Sequence, residues 1–156
     1  MTEAKGSTLG GEISRAEVIS RAKYWYDNRD SIPYDWASSY RDPDSADHTY
    51  RQDCSGYVSM ALHLTSSLSR VTLPGVGTQV SRTAMRPGDY TGILSSGTAG
   101  AAGHVRLFEK WADQRAGTYW AYDFGATPVA HQIYQLSTDQ PRNGIGWTAY
   151  RYNHIL

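Results

Sequence analysis

Asp53-Cys54-Ser55-Gly56-Tyr57-Val58-Ser59-Met60-Ala61-Leu62-His63-Leu64 is the stretch on which the fold turns. An aspartate is a good N-cap, because its carboxylate accepts from the unbonded amide groups of a helix's first turn. Val58, Ala61 and Leu62 follow at helical spacing, and Cys54 lies one turn before Val58 on the same face. The segment predicts a helix from Cys54 to about Leu64. It sets the chain's single cysteine at the positive end of that helix.

Downstream, Ser66–Val80 carries Pro74, Gly75 and Gly77 and reads as irregular. Arg86-Pro87-Gly88-Asp89 is a turn signal, and strands are expected after it near Tyr90–Leu94, His104–Trp111, Thr118–Phe124, Val129–Gln135 and Trp147–Tyr152. The Gly- and Ala-rich Ser95–Gly103 reads as a flexible connection. Upstream, Pro33, Pro43 and scattered Asp and Ser make Asn28–Tyr50 a long loop, of the kind that often carries function. Before it, Ser14 and Glu17 have capping-box spacing, Ile13 and Val18 the placement of a hydrophobic staple, and Val18, Ala22 and Trp25 a helical period. A helix over Arg15–Asp27 is expected. Residues 1–12 read as a flexible lead and 13–156 as one domain. Helices first, then a mostly antiparallel sheet, make an α+β fold.

A chain of 156 residues with 40% apolar content can bury one core. Lys+Arg and Asp+Glu balance at 15 each, so no overall field draws it to nucleic acid, and neither nucleic acid nor membrane is expected as a partner. No apolar run approaches the roughly 18 residues of a membrane span. One cysteine excludes an internal disulfide and a thiolate metal cluster. Asp42, Asp44, Asp47 and His48 lack the glycine turn and terminal glutamate of a calcium loop and read as a solvated acidic segment. No metal and no cofactor are expected, and the chain reads as a monomer. His63, His131 and His154 have no evident partners in the sequence.

Cys54 is the candidate nucleophile. At a helix start, the macrodipole favours a thiolate and the free N–H groups can hold an oxyanion. Ser55 and Gly56 are small enough to let a substrate approach the sulfur. His104, opening a strand after Gly103, is the candidate base. It shares a strand face with Arg106 and Phe108, while Val105 and Leu107 take the other. If the next strand returns through a hairpin centred between Asp113 and Gln114, Phe108 faces Tyr119 and His104 faces Asp123. A carboxylate there would orient the imidazole as the third member of a triad.

Asp53-Cys54-Ser55-Gly56-Tyr57-Val58 resembles the nucleophile motif of the NlpC/P60 family of papain-like cysteine peptidases. In that family's order, Ile32-Pro33-Tyr34-Asp35-Trp36 resembles its Pro-Tyr-x-Trp segment, Arg86-Pro87-Gly88-Asp89 its Pro-Gly-Asp turn, and Gly103-His104-Val105 the start of its histidine strand. The resemblance covers the chain from about residue 15 to the end. It implies a papain-like α+β domain in which Cys54 attacks and His104 takes the proton. The implied substrate is a peptidoglycan stem peptide, cut between γ-D-glutamyl and a diamino acid. Tyr34, Asp53 and Ser55 would then receive the free amino end of that peptide, an aspartate suiting an ammonium group. The chain departs from the pattern in having Asp123 where His, Asn or Gln is usual, and Ala37-Ser38 in place of a Gly-Gly.

The same machinery would serve an acyl or amide transferase, or an amidase on a substrate outside the wall. A non-catalytic binder of wall fragments is the third alternative. Met1–Gly11 lacks the apolar run of a signal peptide, so the expectation is a secreted or envelope protein if a signal was removed and a cytoplasmic one otherwise.

Overall fold

Helix α1, Arg15–Asp27, starts where its cap directs it. Ser14 Oγ accepts from Glu17 N at 3.0 Å, and Ile13 and Val18 are both buried in the main core. The reciprocal half of the capping box does not form, because the Glu17 carboxylate takes the Ser7 hydroxyl instead. The structure, a computed structural model, describes residues 6–94 and 103–156. The first five residues of the lead, and all of the Ser95–Gly103 connection but Gly103, lie outside the described residues.

Helix α2, Cys54–Ala61, is capped by Asp53, whose Oδ1 accepts from Gly56 N at 2.8 Å. It ends before the expected Leu64. His63 turns left-handed (φ 59°), His63 N donates to Met60 O at 3.1 Å and Leu64 N to Ser59 O at 3.0 Å. That pair of bonds is a Schellman motif, which periodicity alone does not reveal.

Two expectations fail upstream of Tyr90. The long loop over Asn28–Tyr50 contains strand β1, Asp35–Arg41, which pairs antiparallel with β2, Thr49–Gln52. A break in register between Asp35 and Ser39, and a strand open to solvent along much of its length, erase the alternation that would have marked it. The segment read as irregular contains β3, Gly77–Val80, held in place by its partner strand and not by an apolar pattern of its own.

The remaining strands fall close to their expected bounds: β4 Tyr90–Ile93, β5 His104–Asp113, β6 Thr118–Asp123, β7 Ala130–Gln135 and β8 Thr148–Tyr152. They form one sheet of order β3-β8-β4-β5-β6-β7, antiparallel at every step. The α+β architecture is therefore the observed one. Trp25, Val58 and Leu62 of the helical layer share a core with Val105, Leu107, Tyr122 and Phe124. Phe108, Tyr119, Ala121 and Ala149 form a smaller cluster with Met85.

The β5–β6 register differs from expectation by two residues. Phe108 faces Ala121, not Tyr119, and the turn runs through 114–117 with Gly117 left-handed (φ 78°). The turn lies further along the chain than expected, and two bulges, between Phe108 and Lys110 and between Trp111 and Asp113, take back only part of that displacement. Continued to the start of β5, this register sets Arg106, not His104, level with Asp123. A two-residue slip keeps every side chain on its own face, so His104 and Asp123 still share one.

Gly92 lies in the middle of this sheet, between β5 and β8. A Cβ there would stand 1.9 Å from His104 O and 2.7 Å from Val105 Cα, atoms of a backbone that cannot swing aside. Gly92→Ala is expected to destabilise the protein by roughly 3 kcal/mol, measured by urea unfolding. A loss below about 0.5 kcal/mol would mean that the two strands are not so closely opposed.

Candidate active site

Three elements converge on one cleft of about 790 Å³, lined among others by Cys54 from α2, His104 and Arg106 from β5, and Asp123 from β6. The sequence-predicted triad is brought together. His104 Nε2 lies 2.8 Å from Asp123 Oδ1, and Cys54 stands close enough to raise the titration of the ring. With Nε2 engaged by the carboxylate, Nδ1 is the ring nitrogen left to serve a nucleophile.

Asp123 is held from three sides. Its Oδ2 accepts from Arg106 Nε at 3.2 Å and from Tyr134 Oη at 2.7 Å, besides the His104 contact on Oδ1. Burial pushes this carboxyl up, but the His104 hydrogen bond and charge, the Arg106 charge and the Tyr134 hydroxyl more than offset it, and the group titrates below its ordinary value. For His104, burial works against the charged ring. The hydrogen bonds to Asp123 and Cys54 and the charges of both overcome it, lifting the imidazole from 6.5 to about 9. For His104, the imidazolium is the form this geometry favours at neutral pH.

Gly125 leaves room for the pair. A Cβ there would meet His104 Cε1 at 2.9 Å and Asp123 Oδ1 at 3.3 Å. Arg106 reaches past Asp123 to Asp139 Oδ1 at 2.7 Å and is stacked between the rings of Tyr134 and Trp147, at 3.6 and 4.5 Å. Trp147 in turn meets the His104 ring edge-on. Arg106 was readable only as a residue on the histidine's face; nothing in the sequence pointed to its partner Asp139.

The expected ammonium pocket is arranged differently. Tyr34 lines the cleft, fixed by Tyr34 N donating to Thr127 Oγ1 at 2.7 Å and by an edge-on contact with Phe124. Asp53 also lines it, but Oδ1 caps α2 and Oδ2 receives Arg51 Nε at 2.5 Å. Ser55 is buried behind, accepting from Arg51 Nη2 at 2.7 Å, and is not among the lining residues. Gly56 is small for another reason than substrate access: a Cβ there would fall 2.0 Å from the Arg51 carbonyl oxygen. Arg51, Arg70, Arg142 and the exposed Trp36 line the cleft, and sequence reasoning assigned none of them a role.

The acidic run is not wholly solvated. Asp42 is buried and ion-paired with Arg21, which also reaches Asp44 at 3.0 Å. No group of three or more His, Cys, Asp or Glu among the described residues is placed to hold a metal ion. His131, without an evident partner in the sequence, stacks on Tyr122 and bonds Glu109 at 2.6 Å; His63 bonds Ser7 Oγ at 2.8 Å. No helix among the described residues is long and apolar enough to cross a membrane.

No family model matches the sequence, and no curated protein matches it. Among solved structures, the chain is similar to Rv1477, a hypothetical invasion protein of Mycobacterium tuberculosis, at 18% sequence identity and a TM-score of 0.46, over 94% of this chain and 70% of that one.

Proposed function

We propose that the chain is a cysteine peptidase or amidase, hydrolysing an amide bond of peptidoglycan stem peptides through an acyl-thioenzyme. The observation that carries the reaction class is His104, hydrogen-bonded to Asp123 and raised by the neighbouring Cys54, on the wall of an open cleft. The substrate class, and a papain-like NlpC/P60 assignment of the fold, rest on the resemblance of the four ordered motifs.

The reaction needs no group beyond these side chains and water. The Cys54 thiolate attacks the amide carbonyl, forming the C–S bond. The N–H groups of Cys54 and Ser55, too early in α2 for an intrahelical carbonyl, are suited to the oxyanion. His104, as imidazolium, gives its proton to the leaving nitrogen as the C–N bond breaks. A water then attacks the thioester, His104 takes its proton, and the acid departs with regeneration of the ion pair.

Mass spectrometry of defined muropeptides, incubated with the wild type and with Cys54→Ala, tests this reading. Cleavage at one amide by the wild type alone supports it. Absence of cleavage, with Cys54 still rapidly labelled by a thiol reagent, would remove the wall peptide as substrate and leave the nucleophile.

Asp123→Asn is expected to lower the rate by roughly 10²-fold, less than the loss of either reacting group. The amide keeps the shape but not the charge that raises the imidazole. His104 then loses its proton at a lower pH, and the alkaline limb of the rate profile shifts toward acid. Full activity with an unmoved limb would exclude Asp123 from the triad.

A further inference from the structure

The strongest unexplained feature of the cleft is the arginine laid across its floor. Beside Cys54, the groups able to receive an ammonium are the Asp53 carboxylate and the Ser55 hydroxyl. Both are covered by one guanidinium: Arg51 Nε on Asp53 Oδ2 at 2.5 Å and Arg51 Nη2 on Ser55 Oγ at 2.7 Å. The second carboxylate oxygen holds the helix cap. Arg51 Nη2 is anchored again by Leu68 O at 2.9 Å, so the side chain is fixed at three points. Its Nη1 makes no hydrogen bond among the described residues, and Arg51 is one of the residues that line the cleft. Arg51, Arg70, Arg106 and Arg142 all line the same cleft, together with Asp53 and Asp123.

We infer that the subsite beside Cys54 takes an anionic group of the acyl donor, a carboxylate, and turns away a free ammonium, with Arg51 as the residue that sets this choice. The inference deepens the proposed function and rests on it in one respect, that the cleft is where an acyl donor binds. A carboxylate matches the planar donor fork of a guanidinium, and a covered aspartate offers nothing to an amine. An ammonium entering here would have to displace Arg51 from Asp53, Ser55 and Leu68 together. The sign of the subsite is thus opposite to the one the motif resemblance implies.

The test uses three alkylating reagents of similar size on the whole protein: iodoacetate, iodoacetamide and 2-bromoethylammonium. Rates of Cys54 modification are followed by mass spectrometry. The wild type is expected to favour iodoacetate over the ammonium reagent, and Arg51→Gln to reduce that preference by at least about 10-fold. Iodoacetamide, which is uncharged, should react with both within about 3-fold, reporting that Cys54 itself is unaltered. Arg51→Lys, keeping the charge, should retain most of the preference. An unchanged preference in Arg51→Gln, or a wild type that favours the ammonium reagent, would overturn the inference.

A second measurement on the wild type needs neither a reactive thiol nor a folded variant. Glutarate and 1,5-diaminopentane, alike in length and opposite in charge, are titrated against the backbone amide signals of Ser55 and Gly56. Shifts with glutarate alone uphold the anionic subsite even if Cys54 proves inert, which would sink the hydrolase reading and not this one. Shifts with the diamine, or with neither, sink the subsite.

Discussion

Cys54→Ala is expected to lower amide hydrolysis by at least about 10⁴-fold while the protein stays folded. The substitution removes the atom that forms the bond, and no other cysteine exists to replace it. It removes little packing, because alanine keeps the Cβ and only one sulfur leaves a site that is buried at the edge of the main core. Cys54→Ser should be as inactive. A serine hydroxyl is a far weaker acid than a thiol, so the pair that serves a sulfur leaves it protonated and unreactive. The alanine variant has a second signature, since Cys54 is one of the groups that raises His104. The imidazole should titrate at a lower pH in Cys54→Ala, which NMR of the ring protons would register. Retained hydrolysis in this variant would end the nucleophile assignment.

His104→Ala is expected to lower the rate by about 10³- to 10⁴-fold, measured on the same substrate. The ring has two tasks that no neighbour can take over: protonating the leaving amine and deprotonating the attacking water. Asp123 is not orphaned by the change, because Arg106 and Tyr134 still hold it, so the fold should survive. In the wild type the rate should fall as pH rises through about 9, where the imidazolium is lost. Folding stability carries the same dependence. A histidine raised above its unfolded value of 6.5 stabilises the fold in full below about that pH, and the contribution disappears as pH rises through about 9. The His104→Ala protein should lack this alkaline decline. An activity within 10-fold of wild type would place the base elsewhere.

Both helices, the turn at Arg86–Asp89 and the five strands after it could be read from the sequence, because each carries its own signal: a cap, a period or a turn dipeptide. Strands β1, β2 and β3 could not, since all three are short or open to solvent and owe their form to a partner strand. Cys54, His104 and Asp123 were legible from a helix start, a strand start and strand parity. Parity was enough: the register was wrong by two residues, yet the faces were right. Asp53 and Ser55 were placed near the cleft, but their availability was not legible. It depends on where Arg51 directs its guanidinium, which is a property of side-chain geometry that spacing does not encode. The same is true of Asp139, sixteen residues beyond Asp123 and joined to it only through Arg106.

The bulges of β5 have a practical side. Pairing next to the triad is set by Leu107 with Tyr122 and Phe108 with Ala121, before either bulge is reached. Beyond them the hairpin has already changed register twice without disturbing His104 or Asp123. The turn at 114–117 is therefore insulated from the cleft, and a graft placed there, such as an affinity tag or a targeting module, would ride on the protein without moving His104 or Asp123.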